Sequence, residues 1–148
     1  MKSPETVKME ERFRELRRKV YTYPNARINQ LMDLQFIDCS AEEKTLTLGF
    51  DVEWWMMNPF DTMHGGMICT AFDMTFGSLA IVLSDKTWTP TIQLAVSFIR
   101  PIGPGAHLRV KVHAASIGKT VSNLTGEVTK AGSDTVYATA TAVFFMAK

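Results

Sequence analysis

Cysteine is scarce in this sequence. Two in 148 residues, Cys39 and Cys69, are too few for a disulfide framework and are not spaced as metal ligands. A reduced, cytoplasmic setting is therefore expected, with no metal and no other cofactor. An excess of charge of either sign is also lacking. Sixteen Lys and Arg against 15 Asp and Glu leave a net charge of +1, so there is no basic face of the kind a nucleic-acid partner requires. No apolar run reaches the roughly 20 residues that span a bilayer. The N-terminal stretch MKSPETVKMEERFRELRRKV has no apolar segment of signal-peptide type. Neither nucleic acid nor membrane is expected as a partner. What remains is 46% hydrophobic and 21% charged, an ordinary globular balance, at a length that suits one domain with a real core rather than two.

Residues 4 to 19 alternate charged and apolar positions at helical spacing, with Ser3 placed to cap the helix and Pro4 and Glu5 suited to its first turn. The apolar stripe (Val7, Phe13, Leu16, Val20) is thin, which predicts a helix on the surface whose charges form a solvated face. Residues 1–27 are thus read as a surface helix and linker ahead of a single domain at 28–148, with a second short helix within Asn25 to Leu34. From Gln35 the period becomes two. Gln35 to Ser40 and Thr45 to Val52 read as a hairpin, with Leu46, Leu48 and Phe50 on one face. After an irregular apolar stretch at 53–63, Gly66 to Ser84 reads as a long buried helix with hardly any charge. Strands follow at 91–98, 107–115, 121–130 and 136–146. In the first of these Ile92, Leu94, Val96 and Phe98 alternate with Thr91, Gln93, Ala95 and Ser97. Short turns make neighbouring strands antiparallel, and one apolar helix with one sheet to cover it predicts an α+β fold, the sheet curved around the helix.

Five residues carry chemistry: Asn58, His64, Gly65, Gly66 and Asp73. Asp73 lies mid-way along an otherwise apolar helix, where a carboxylate is costly to bury without partners. It is either a polar-edge residue bonded to Thr70 or Ser78, or a functional group. Gly65-Gly66 makes a poor helix interior but a good helix start, where free N–H groups and the helix dipole favour negative charge. Such donors can stabilise the oxyanion formed when a thioester carbonyl is attacked; a plain turn into a helix is the alternative. His64 reads as a loop-orienting residue. At 1.5 Å rise per residue, Gly65 and Asp73 stand about 12 Å apart along one helix, too far to act on one carbonyl. Two such helices packed antiparallel about a two-fold axis near Cys69 would bring Gly65 of one beside Asp73 of the other. A functional site built from these groups is therefore expected at a homodimer interface.

The run N-P-F-D-T-M-H-G-G followed by Asp73 resembles the pattern of the phenylacetate-pathway (PaaI-like) thioesterases of the hotdog superfamily. There an Asn six residues before the His, an HGG and an acidic residue nine beyond the His recur; the segment T-P-T-I-Q-L-A-V-S-F-I-R-P is similar to the family's strand after the helix. The resemblance covers roughly residues 28 to 146. It implies the hotdog fold, no cofactor, and hydrolysis of an acyl-coenzyme A. Gly65 would supply the oxyanion N–H, His64 would orient that loop, and Asn58 would contact the thioester or water. Asp73 of the other subunit would act as general base or nucleophile, and Thr91 falls where some relatives hold the attacking water with a hydroxyl; an ordinary β-branched strand residue is its alternative. Gly66 and the turn Gly118-Lys119-Thr120 would bind substrate and coenzyme A, with Lys119 and Arg100 as phosphate partners. The dimer is expected, and its pairing into a tetramer stays open. Asp61 departs from the pattern, standing where many relatives have glycine.

Two other classes were weighed on the same residues. Hydratase chemistry places its His in a different loop setting, and an acyl-CoA-sensing regulator needs a DNA-binding domain that 27 residues cannot hold. A non-catalytic acyl-CoA binder is the remaining alternative. Trp54, Trp55, Met56, Met57, Met63, Met67 and Phe72 imply an apolar acyl pocket, several of them doubling as core.

Overall fold

The computed structural model describes residues 1–21 and 27–147. The elements run α1 (Pro4–Val20), α2 (Ile28–Leu31), β1 (Gln35–Ser40), β2 (Thr45–Asp51), α3 (Gly65–Val82), β3 (Thr91–Phe98), β4 (His107–Ile117), β5 (Val121–Lys130) and β6 (Ala138–Phe145), with a short 3₁₀ turn at Trp54–Met56. All neighbouring strands are antiparallel in the order β1-β2-β4-β5-β6-β3. The sheet curves about α3, as the residue pattern predicts. Every second residue of β4 (Leu108, Val110, Val112, Ala114) and the inward residues of β2 and β6 meet the helix in one continuous core. Packing is tight at Gly126 of β5, where a Cβ would stand 3.1 Å from Cζ of Phe76 on α3 and 2.8 Å from Val112, so any larger residue there would force those side chains to shift.

Helix α3 is long and apolar enough to cross a membrane by length and composition alone, closer to that limit than the sequence reading allowed. Its place at the centre of the sheet accounts for that composition. The wrapping is incomplete, however. Gly66 is exposed and Cys69, Thr70, Asp73 and Gly77 are only partly covered, which leaves one polar, small-residue stripe of the helix bare.

Helix α1 begins as expected: the Ser3 hydroxyl accepts from the Thr6 N–H, Pro4 opens the first turn, and Arg17, Arg18 and Lys19 occupy the last, where cations complement the helix dipole. Its buried face differs from the expected one. Thr6, Met9, Phe13 and Leu16 face inward, whereas Val7 and Val20 are exposed. The spacing 6, 9, 13, 16 follows the helical period more closely than 7, 13, 16, 20, and it sinks Phe13 completely into the core shared with α3 and β1. Of the second predicted helix, four residues (Ile28–Leu31) are helical; Asn25 and its neighbour Ala26 lie outside the described residues.

Strand β3 departs most from its pattern. It forms one free edge of the sheet, and the apolar residues assigned to its core face are poorly covered: Ile92 and Phe98 are each 56% exposed. A β-bulge at Ile92 lets Thr91 pair with Phe144 and Gln93 with Val143. Phe144 points into the core, so Thr91 is turned to the inner face rather than sharing the outer one with Gln93, Ala95 and Ser97. An extra residue in one strand shifts the alternation by one, and here it re-aims one side chain.

Candidate active site

Residues 56–65 form a loop that sets the start of α3. The side-chain oxygen of Asn58 accepts from the N–H groups of Phe60 (2.9 Å) and Thr62 (3.2 Å), and its amide nitrogen donates to the Thr62 hydroxyl at 2.8 Å. Asn58 therefore holds the loop closed, with its carbonyl oxygen fully engaged; only its second amide hydrogen remains to meet a ligand, a narrower role than contact with thioester or water. Asp61 at the tip has φ 58°. This left-handed conformation is one that glycine takes most readily and aspartate tolerates, so the departure from glycine at this position keeps the turn rather than remodelling it.

His64 caps α3. Its backbone carbonyl accepts from Met67 and Ile68, and Nδ1 accepts the Gly66 N–H at 2.9 Å, which leaves the ring proton to Nε2. One amide of the glycine pair is thereby satisfied. The Gly65 N–H has no acceptor among the described residues, so of the two glycines it is the one with a donor to offer at the positive end of the helix. Gly65 also packs on Phe98 of β3, whose ring would lie 3.1 Å from an added Cβ. Gly65, Asn58 and Arg100 line one cleft of about 350 Å³ together with Ile68 and Phe98. The Arg100 guanidinium donates to the Val136 carbonyl at 2.5 Å, an anchor that holds it at the cleft wall.

Asp73 lies elsewhere. It is half-buried on the bare stripe of α3, and neither Thr70 nor Ser78 is bonded to it: their hydroxyls donate back to the Gly66 and Met74 carbonyls. Its partner is Thr91, whose Oγ1 donates to Oδ1 at 2.5 Å, in the range of a charge-assisted hydroxyl–carboxylate bond. Both residues line a second cavity of about 250 Å³, walled by Leu16, Val20, Gly77 and Trp88. Tyr21 donates its hydroxyl to Ser78 at 3.0 Å there, since the single Ser78 proton goes to Met74. Burial pushes the Tyr21 phenol above its ordinary pKa, and the Asp73 charge adds to the effect. The Cys69 thiol is raised for the same two reasons in the same order. Sequence reasoning missed this cavity, although Gly77, one turn beyond Asp73 on the same helix face, was a visible opening. Among the described residues no group of three His, Cys, Asp or Glu is placed to hold a metal ion.

The turn Gly118-Lys119-Thr120 joins β4 to β5. Ile117, Ser122, Phe144 and Thr91 are successive Cα partners across four strands, so this turn stands at the Thr91 end of the sheet, roughly 10 Å from Thr91 at two strand spacings from β5. The candidate residues thus divide into two groups. Asp73, Thr91 and residues 118–120 occupy one end of β3 and α3, and Asn58, His64, Gly65, Gly66 and Arg100 the other. Of the side chains expected to form an acyl pocket, Met56, Met63 and Phe72 are core, while Trp54 and Trp55 lie on the surface.

Comparison with known proteins agrees with this architecture. A protein of Caenorhabditis elegans described as an esterase is 30% identical over 67 residues, 45% of this chain but only 39% of that protein's own length. A thioesterase of Ralstonia eutropha, described as related to phenylacetic acid degradation, is 26% identical with a TM-score of 0.76 over 90% of this chain and 98% of that one. A Streptococcus mutans protein solved with acetyl CoA shares the fold at 18% identity, with a TM-score of 0.72 over 85% of this chain and 96% of that one. The profile of the thioesterase superfamily matches residues 60–137, which run from the loop before His64 to the start of β6, and on that match this hotdog-fold chain belongs to the thioesterase superfamily.

Proposed function

We propose that this protein hydrolyses an acyl-coenzyme A thioester at a site completed by two copies of the chain. The observation that carries the reading is the division of the candidate residues between the two ends of β3 and α3. A two-fold axis passing near Cys69 exchanges Gly65 with Asp73. Because Gly65 packs on Phe98 and Asp73 bonds to Thr91, the same axis must also exchange Phe98 with Thr91, and so pass near Leu94 and Ala95. That is the middle of the free edge strand, whose apolar residues Ile92, Phe98 and Ile99 are exposed in the single chain. The axis set by the helix stripe therefore falls on the open edge, and unpaired edges of this kind are ready to pair.

In that dimer the thioester carbonyl sits between Asp73 of one protomer and the partner's Gly65. The Asp73 carboxylate takes a proton from water as the water oxygen bonds to the carbonyl carbon, or it attacks that carbon itself. The partner's Gly65 N–H meets the developing oxyanion. On the general-base route the C–S bond then breaks and the proton reaches the departing sulfur of coenzyme A. On the nucleophilic route the thiolate leaves as an acyl-aspartyl anhydride forms, and water then hydrolyses that anhydride, its proton going to the sulfur. The Thr91 hydroxyl fixes the carboxylate in place. His64 holds the Gly66 amide and so the helix start, while Arg100 and the 118–120 turn would meet coenzyme A phosphates. The bound acetyl CoA of the S. mutans protein supports this substrate class.

The test is turnover of a panel of acyl-CoAs, with free thiol measured. Asp73→Asn keeps the shape and the Thr91 hydrogen bond but removes the base, and is expected to lower kcat by roughly 10² to 10⁴ with little change in substrate binding. A folded, dimeric Asp73→Asn protein that turns over at near wild-type rate would sink the mechanism. Wild-type protein that binds acyl-CoA tightly without turnover would establish the silent-binder alternative instead.

A further inference from the structure

We propose that the acyl group is a linear alkyl chain lying between α1 and the C-terminal half of α3, and that α1 sets the chain length accepted; the inference rests on the thioesterase reading above. From Asp73 the same face of α3 runs through Gly77 to Ile81. Gly77 carries no side chain to block the way, and the 73-to-81 span is about 12 Å along the helix, the length of an extended chain of roughly ten carbons. The cavity beside Asp73 is walled by Leu16 and Val20 of α1 and by Ile81. Those three residues also line a further cavity of about 240 Å³, so the two adjoin along that wall. At its far end Arg12 donates to the Ile81 carbonyl at 3.0 Å, and the rim carries Glu15 with its partner Lys19 and Lys86 with its partner Asp85. An alkyl chain entering at the thioester would follow Leu16, Val20 and Ile81 until it met that charged rim.

The proposal identifies Val20 as a length gauge, and it gives that exposed residue on the last turn of α1 a purpose that core packing does not. The probe is a series of non-hydrolysable S-alkyl thioethers of coenzyme A, from ethyl to hexadecyl, titrated into the full-length protein by calorimetry. Affinity is expected to rise about two- to fourfold per methylene, the scale of methylene burial, and to level off near about ten carbons. Val20→Trp, at a site exposed enough to accept it, is expected to move the plateau to shorter chains. It should weaken the decyl ligand about tenfold or more and leave the butyl ligand unchanged. Ile81→Phe on the opposite wall should do the same, and Val7→Trp, on the exposed face of α1 away from the groove, should not. A wild-type curve already flat at butyl, or Val20→Trp and Ile81→Phe curves superimposable on wild type, would overturn the groove. Binding needs no turnover, so the two readings fail separately. A protein that shows the plateau and its shift without hydrolysing any acyl-CoA loses the enzymatic reading and keeps the groove; one that hydrolyses acyl-CoAs with length-independent binding does the reverse.

Discussion

Thr91→Val isolates the hydroxyl contact to Asp73. Valine keeps the β-branched shape that the strand and its bulge accommodate, so the change removes one O–H and adds a methyl of similar size. The lost bond is 2.5 Å, hydroxyl to carboxylate. Bonds to charged groups contribute about 1.5 to 3 kcal/mol. Thr91 is exposed and Asp73 half-buried in the single chain, so solvent screening places the effect at the low end. If the contact serves to hold the carboxylate in its attacking position, about 1.4 kcal/mol of transition-state stabilisation is lost, a roughly tenfold fall in kcat. KM should change little, because Thr91 touches the base and not the coenzyme. Thr91→Ser, which restores the hydroxyl but not the methyl, should recover most of the rate. Steady-state kinetics of the three proteins, alongside their melting temperatures, decides the matter. A Thr91→Val enzyme with wild-type kcat would refute the argument, and so would a slow Thr91→Val whose defect Ser fails to repair.

Three further outcomes are expected. Glu42 accepts hydrogen bonds from Ser3, Thr6 (2.8 Å) and Ser40 (3.2 Å), which hold its carboxyl down to about 2 from 4.5. A depressed folded-state pKa stabilises above the unfolded value and is lost as pH falls through the folded one, so melting temperature should drop from pH 4.5 towards 2, and Glu42→Gln should flatten that part of the curve. Phe13→Ala should destabilise by about 3 to 5 kcal/mol in denaturant melts, the range for emptying a buried aromatic site, whereas Val7→Ala on the exposed face should stay within about 0.5 kcal/mol. Ile92→Asp places a charge on the open edge of β3; sedimentation should show a folded monomer without thioesterase activity, and an active monomer would count against the shared site.

Much of the fold was legible because its cues are periodic. The strand at Gln35–Ser40 and the strand starts at Thr45, Thr91, His107 and Val121 follow from alternation and turn residues, and the charge-poor helix could only be central. The Gly65-to-Asp73 separation was readable as well, since a helix of known rise fixes it. Two things were hidden. One was which face of α1 is buried, because that face includes the polar Thr6 while the apolar Val7 and Val20 lie outside it; packing against α3 and β1 decided it. The other was the orientation of Thr91. Strict alternation puts it on the outer face, and only the pairing with Phe144 and Val143 reveals the bulge. Asn58 shows a third kind of limit: its residue type fits both a ligand contact and a loop clasp, and only the geometry of residues 58–62 shows the clasp.

The bulge at Ile92 separates two design problems that a regular strand would tie together. Beyond it, β3 keeps a regular register with β6 and offers its other side as an uninterrupted open edge; before it, a single hydroxyl is answerable to the carboxylate on α3. If β3 paired without the bulge, Ile92 would take the place opposite Phe144 and position 91 would swing outward, away from Asp73, whereas deleting Ile92 itself would keep Thr91 opposite Phe144. The reach of that hydroxyl is thus governed by pairing register as much as by residue identity, so a strand that lost its bulge by slipping one residue would silence the contact while the rest of the sheet went unchanged.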